Sequence, residues 1–512
     1  MHDANIASLL ARRAAMHPSR NAIVDSAQRI TFGELAARVA RVAAGLRASG
    51  AVPGDRVLIF VPMSVELYVT LLGTLHAGAV AVFVDAWANR RRLDAAIDKA
   101  NPAAFIGTRR AQFLRLLSSR VRRIPRAFMP SSRAFSSTPP IDVHAVPVDW
   151  PALVTFTTGS TGAPKAAERS HGFLVAQHEA LAAHLEPRAD DVDMPTLPVF
   201  VLNNLASGVT SVIPDADPRR PADIDPTRVL RQMHENQVTT SSGSPAFYEK
   251  LAEHCKHSNT RIPLRSLFTG GAPVLPPLAR QLRDYTVGTA NVVYGSTEAE
   301  PIAGITANEL IQLSAGGDGV CVGKPVEQIA VKLIHPADHP VTLGDRGWPA
   351  WEVAPGDVGE IVVAGAHVLE TYLHDPDAVR ENKISDGETT WHRTGDGARL
   401  DAAGRLWLMG RVRQRVVRDG VTWWPLGAEV RALTVPGVSH AAYVGVANGA
   451  HGNRAMLCVE ADPRESERVR RESVAAVAPW PVDDVRVLPK IPRDPRHASK
   501  TDVETLRKLI AR

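Results

Sequence analysis

The stretch from Thr155 to His171, "TFTTGSTGAPKAAERSH", crowds hydroxyl side chains, Gly159, Gly162 and Lys165 into its first eleven residues, directly after the apolar lead-in "WPALVTF". Glycine and hydroxyl residues following a strand expose backbone N–H groups and O–H groups without obstruction. That suits phosphate oxygens, and Lys165 adds a point charge. A nucleotide phosphate is the natural occupant. The Walker pattern does not fit, because Ala163 and Pro164 separate Gly162 from Lys165 and no Ser or Thr follows the lysine to hold magnesium. A plain flexible turn is the competing reading, so other segments must decide.

The chain has 512 residues, more than one hydrophobic core usually fills, which implies at least two domains. With 45% hydrophobic and 22% charged residues it has the composition of a soluble globular protein, and neither disorder nor repeats are expected. Cys255, Cys321 and Cys458 lie far apart, which argues against a disulfide framework or a zinc site and fits a reducing, cytoplasmic setting. The N-terminus lacks a charged start followed by an apolar run, so no secretory signal is expected. Only Val57 to Val84 raises a membrane question. Its interior Pro62, Glu66, His76 and Gly78 divide it into strand, helix and strand, so no membrane span is expected.

The net charge of +5 is unevenly placed. From Lys99 to Ile141 there is no Asp or Glu, while Arg109, Arg110, Arg115, Arg120, Arg122, Arg123 and Arg126 crowd together. Such a face could attract an acidic carrier protein, a polyphosphate or nucleic acid. A solvated surface is the plainer reading, and no nucleic-acid partner is expected.

"RVLIFV", "VAVFV", "AAFIG" and "LVTFTT" read as strands, and "TFGELAARVARVAAGLRAS" and "DPTRVLRQMHENQ" carry helical spacing. The fold class is α/β: a large N-terminal domain of mixed, largely parallel sheets with helices, then a small mobile α/β C-terminal domain. After Gly365 the texture changes to short strands and turns, and "RLDAAGRLWLMGRVRQRVVRDG" reads as a hairpin leading into a charged connector. The expected boundaries are 1–410, a hinge at 411–414, and 415–512.

Four further segments follow the glycine-rich loop in order: "LFTGGAPVLP" (267–276), "NVVYGSTEAEP" (291–301), "WHRTGDGARLDAAGRLWLMGR" (391–411) and "IPRDPRHASKTD" (491–502). With the loop and the early "TFGELAARVARVAAGLRASGAVPGDRVLI", they resemble the adenylate-forming superfamily of acyl-CoA synthetases, peptide-synthetase adenylation domains and luciferases. "LPVFVLNNLASG", "KISDGETTWHRTGD" and "DPRHASKTD" are most similar to the branch containing β-lactone synthetases of bacterial olefin biosynthesis.

The resemblance implies that a carboxylate attacks the α-phosphate of ATP to give an acyl adenylate, from which a second nucleophile displaces AMP. It implies that Thr158, Ser160, Thr161, Gly162 and Lys165 grip the terminal phosphates. Gly271, Ala272 and Pro273 would border adenine, with Tyr294 stacking on the base. Thr297 would bind the α-phosphate and Glu298 would ligate Mg²⁺, a hard cation. Glu300 would be structural or solvent-facing. Asp396 would receive both ribose hydroxyls, with Arg411 nearby. Lys500 would be the mobile lysine that enters the site during adenylation.

Three departures bear on function. Ser499 stands where glycine usually precedes the lysine, Arg413 occupies the hinge position, and the acyl-site segment offers Phe200, Asn203 and Asn204. The paired asparagines are too polar for casual burial, and could read a hydroxyl or carbonyl of the substrate. Trp423 and Trp424 lie where a pantetheine arm would need an open surface. The expected activity is an AMP-forming acid ligase using ATP and Mg²⁺, acting on a fatty or 3-hydroxy acid, with CoA as the first-choice acceptor and an acyl carrier protein as a possible partner. The rival is a β-lactone synthetase in which the substrate's own hydroxyl replaces CoA. A rival from another class is a non-catalytic binding protein that uses the arginine-rich face.

Overall fold

The computed structural model describes residues 4–84, 90–158, 164–217, 219–447, 453–494 and 500–510. The first four strands read from sequence fall in one six-stranded sheet, in the order Arg126–Phe128, Ala104–Gly107, Arg56–Phe60, Val80–Phe83, Pro151–Thr158, Pro164–Ser170. Neighbours are parallel except for the last pair, which is antiparallel with Thr158 opposite Pro164. The strands on either side of the glycine-rich stretch therefore pair with each other, and Ser170 caps the helix His171–Leu185 that follows the second.

Val57 to Val84 folds as strand, helix Val65–His76 and strand, and nearly every residue of that helix is buried. Its all-round apolarity reflects burial within protein. The helix Phe32–Ala48 crosses it closely: a Cβ at Gly73 would stand 2.5 Å from Val42 Cγ1. A capping box between Thr31 and Glu34 starts Phe32–Ala48. Among the described residues no helix is long and apolar enough to cross a membrane.

A second sheet has 14 strands among the described residues. One half is parallel, running through Asn21–Val24, Thr210–Val212, Val192–Asp193, Thr240–Gly243, Ser266–Gly270 and Thr289–Ser296. From Ala299–Thr306 onward every pairing is antiparallel, so the change of texture begins well before Gly365. The expected hairpin joins Thr389–Leu400 to Leu406–Arg411, and its turn is held by Asp401, which accepts from the backbone N–H groups of Ala403 and Arg405.

After Leu406–Arg411 come a 3₁₀ turn, Val412–Gln414, and a separate three-stranded sheet of His440–Ala447, Asn453–Glu460 and Asp484–Leu488. One apolar cluster on this sheet includes Ala428, Tyr443, Leu457 and Val469; another includes Val444, Met456, Cys458, Ile491 and Leu506. Cys255, Cys321 and Cys458 are buried free thiols.

Candidate active site

Strands Ser266–Gly270 and Thr289–Ser296 run parallel with Gly270 opposite Val293, so the turn after the first strand lies beside Tyr294. Open α/β sheets bind ligands at such carboxyl ends. A Cβ at Gly270 would meet the Val293 carbonyl at 2.4 Å, and Gly271 has φ +79°, a conformation that favours glycine. Gly271, Ala272 and Pro273 thus form a low rim next to Tyr294.

The tyrosine donates its phenol hydrogen to Asp396 Oδ2 at 2.9 Å. Burial first, and the Asp396 charge second, hold the phenol well above its ordinary pKa, so it remains a donor. Arg411 faces Asp396 across the hairpin, its Nε 3.1 Å from Oδ1, and a second guanidinium nitrogen donates to the Thr394 carbonyl at 3.1 Å. The strand carrying Asp396 is anchored by Arg393, which forms a buried pair with Glu360 at 2.7 Å and also donates to the carbonyls of Ala337, His339 and Glu381.

A second cluster forms around the tight connection from Ser296 to Ala299. Thr297 is exposed at its tip and Glu298 is half-buried behind it. The Tyr372 hydroxyl donates to Glu298 Oε1 at 3.3 Å, and the Leu369 N–H donates to the Glu298 carbonyl at 2.7 Å. Lys165 Nζ lies 5.6 Å from the centre of the Tyr372 ring. Burial lowers the pKa of Lys165, and the Glu298 charge opposes that shift. The carboxylate expected to hold the cation and the lysine expected to grip phosphate therefore flank one tyrosine. Thr158 ends its strand opposite Pro164. Ser160, Thr161 and Gly162 lie outside the described residues.

Three residues of this cluster were not anticipated. Arg169 is buried and donates to Thr155 Oγ1 at 3.0 Å and to the Thr297 carbonyl at 2.8 Å, tying the glycine-rich hairpin to the Thr297 tip. The alternation Lys165, Ala167, Arg169 along one strand puts both cations on one face, a signal present in the sequence. Tyr372 is the second. Lys383 is the third: its buried amine donates to the Leu369 carbonyl and lies 5.3 Å from the Tyr372 ring centre. Burial, opposed mainly by Glu298, pushes its pKa down to about 7. Glu300, expected to be structural or solvent-facing, is half-buried. Burial pushes its carboxyl up to about 7 against the opposing Arg169 charge, and its carbonyl accepts from Gln177 at 3.3 Å.

The helix Pro198–Ser207 begins just past the carboxyl end of strand Val192–Asp193, and Phe200, Asn203 and Asn204 are all buried in it. The structure divides the asparagine pair. Asn204 commits its amide hydrogens to Asp193 Oδ2 (2.8 Å) and Ser211 Oγ (3.1 Å). Asn203 Oδ1 meets His178 Nδ1 at 2.8 Å, while its Nδ2 is buried with no hydrogen-bond partner among the described residues. An unsatisfied buried donor costs about 1–3 kcal/mol, so that nitrogen invites a ligand acceptor.

Trp424 is buried against Gly397, where a Cβ would stand 2.1 Å from its ring, and its carbonyl accepts from Trp480 Nε1 at 2.8 Å. It braces the backbone next to Asp396. Trp423 packs at 6.4 Å against Trp480. Lys500 follows the segment 495–499 and sits on the small sheet's side. Its carbonyl accepts from the Asp494 N–H at 2.7 Å, and its neighbour Thr501 bonds His440 at 2.9 Å. Arg413, at the expected hinge, is exposed.

The residues expected to take a base and ribose thus gather in one cluster, and those expected to take phosphates that lie among the described residues gather in another. Residues 10–373 match the family model described as AMP-binding enzyme. The olefin beta-lactone synthetase of Stenotrophomonas maltophilia is 34% identical, with 93% of this chain and 90% of that protein covered. A feruloyl-CoA synthase from an Amycolatopsis species is 30% identical over 93% of this chain and 92% of that one. The crystal structure of ATP-bound MatB from Rhodopseudomonas palustris superposes with a TM-score of 0.81 at 23% identity, covering 99% of both chains. The chain belongs to the AMP-binding enzyme family, whose members form acyl adenylates from ATP.

Family members use Mg²⁺, and the residues present fit it. Magnesium takes few protein carboxylates and completes its shell with phosphate oxygens and water. Glu298 offers one carboxylate, with Oε1 steadied by Tyr372. Among the described residues no group of three or more acidic, His or Cys side chains could hold a metal alone.

Proposed function

We propose that the chain activates a 3-hydroxy carboxylic acid as its adenylate and closes it to a β-lactone. The olefin beta-lactone synthetase relatives, at 34% and 33% identity over 93% and 98% of this chain, carry the reading. The sequence alone puts CoA first as acceptor; here the substrate's own hydroxyl comes first. The unpartnered Asn203 Nδ2 supports it, since a donor in the acyl-site helix can orient a hydroxyl.

Tyr294, Asp396 and Arg411 hold base and ribose, while Lys165, Thr297 and Glu298 hold the phosphates and their cation. The Mg²⁺ supplies charge neutralisation at the phosphates. Lys500, on the unit beyond 411–414, brings positive charge to the meeting point of carboxylate and α-phosphate, and rotation about that connector, where Arg413 is exposed, delivers it. The carboxylate oxygen bonds to the α-phosphorus and pyrophosphate leaves. The substrate's hydroxyl oxygen then bonds to the carbonyl carbon, the bond from that carbon to the AMP oxygen breaks, AMP keeps the electron pair, and the hydroxyl proton passes to solvent. Proximity offsets the strain of the four-membered ring.

A second reading, transfer to CoA, draws on the feruloyl-CoA synthase relative. Mass spectrometry of products from one 3-hydroxy acid and its deoxy analogue, with ATP and with or without CoA, separates the two. The proposal expects AMP and a product lighter than the acid by one water, from the hydroxy acid alone and without CoA. Thioester from both acids, only when CoA is present, overturns it.

A further inference from the structure

We propose that the arginine-rich segment 109–123 is a docking surface for an anionic lipid bilayer, with Phe113, Leu116 and Leu117 inserting among the acyl chains. These three side chains are 61%, 72% and 65% exposed. The i, i+3, i+4 spacing places them on one side of a helical turn, and the Leu116 and Leu117 N–H groups both donate to the Phe113 carbonyl. Leu114, on the opposite side, packs against the core cluster that contains Phe105 and Val121. The turn is fixed to the protein by its inner side and presents large apolar groups on its outer one. Three such groups within five residues exceed the scattered single exposures normal for a soluble surface.

The charges around them complete the argument. Arg109, Arg110, Arg122 and Arg123 are exposed and Arg115 is half-exposed. None of these five forms an ion pair among the described residues, whereas Arg120 is paired with Asp98 at 2.6 Å. No acidic residue occurs from Lys99 to Ile141. Neighbouring Arg90 and Arg91, at the start of helix Arg90–Ala100, are exposed too. The segment lies beside Arg126–Phe128, the edge strand of the six-stranded sheet, away from the antiparallel pair that carries the glycine-rich loop. Protruding apolar side chains ringed by unpaired guanidinium groups match a bilayer, where headgroup phosphates take the charge and the boundary beneath takes the apolar tips. An acidic protein would pair with the arginines but give three protruding side chains no apolar layer to enter.

The test is co-sedimentation of the full-length protein with vesicles of phosphatidylcholine alone and of phosphatidylcholine with phosphatidylglycerol. One variant, F113S/L116S/L117S, keeps every charge; a second, R109A/R110A/R122A/R123A, keeps the apolar tips. Pyrophosphate exchange in solution checks that both fold and keep adenylation activity. The expected result is binding to the anionic vesicles, weakened about tenfold or more by the serine variant, since burying even one such side chain is worth at least that factor, and weakened by the arginine variant and by salt. Binding that the serine variant retains in full is surface attraction of a basic protein and overturns the proposal, as does no binding at low salt. A wild-type dimer that the serine variant dissociates, with no vesicle binding, assigns the patch to a second copy and overturns it as well. Capture by a purified acidic carrier protein that depends on the arginines, without vesicle binding, overturns it in favour of a protein partner.

Discussion

Tyr294 and Asp396 are 102 residues apart in the chain, yet the phenol donates to the carboxylate at 2.9 Å. The aromatic group proposed to stack on adenine thus steadies the carboxylate proposed to receive the ribose hydroxyls, and Arg411 holds the other oxygen at 3.1 Å. The groups proposed for base and ribose are one mechanical unit.

Tyr294→Phe keeps the ring and removes that hydrogen bond. A hydrogen bond to a charged group contributes about 1.5–3 kcal/mol, so KM for ATP should rise roughly tenfold or more. The turnover at saturating ATP should change less. Pyrophosphate exchange across ATP concentrations measures both, and an unaltered KM would mean that Asp396 is positioned by Arg411 alone.

Tyr372 links the glycine-rich hairpin to Glu298. Its backbone bridges to Ala167, its ring lies under Lys165, and its hydroxyl meets Glu298 Oε1. In Tyr372→Phe the ring packing survives and the carboxylate loses its steadying donor. Half-maximal activity should then require several-fold more Mg²⁺, with saturating activity largely restored, as expected for loss of one modest hydrogen bond of about 1 kcal/mol. Equal loss of rate at every Mg²⁺ concentration would point to a packing role only.

How much of this was legible follows from sequence distance. The hairpin of Pro151–Thr158 and Pro164–Ser170, the Asp401 turn and the helix caps are local, and residue patterns report them directly. Arg169 was overlooked although it stands in the same stretch as Lys165, because its partner, the Thr297 carbonyl, is 128 residues away. A backbone acceptor leaves no trace in residue identity. Lys383 is similar, with its amine on the Leu369 carbonyl. Asn203 and Asn204 read alike in sequence, and only the fold shows that Asp193 and Ser211 occupy one of them. The early onset of antiparallel pairing at Ala299 was hidden because a strand's own residues do not declare the direction of its neighbour.

Glu429 gives a pH dependence with a definite sign. Burial pushes its carboxyl up to about 7, opposed by the Tyr443 N–H, which donates to it at 3.1 Å. The unfolded value is near 4.5. Between these values the folded chain keeps a proton that the unfolded chain has lost, so stability falls as pH rises from about 4.5 to 7 and levels off above. Glu429→Gln keeps the acceptor and removes the titration. Its thermal midpoint should exceed that of the native chain at pH 8 and match it near pH 4.5. An equal shift at both values would show that the carboxyl stays ionised throughout.

Lys500 tests the proposed rotation. It belongs to the segment beyond 411–414, beside the small sheet, and acts in adenylation only when that segment brings its charge to the α-phosphate. Lys500→Ala removes a preorganised cation from one arrangement, so adenylation should fall by about 10²–10³, the usual loss when such a group is deleted. The second step needs no charge at that place, because the electrophile is already made. A synthetic 3-hydroxyacyl adenylate given to the variant should therefore yield AMP and lactone at close to the native rate. The two assays separate chemistry from folding, since a misfolded variant fails both. Loss of both steps in a protein that still binds ATP and unfolds at the native temperature would show that the lysine serves each reaction, and that rotation does not divide them.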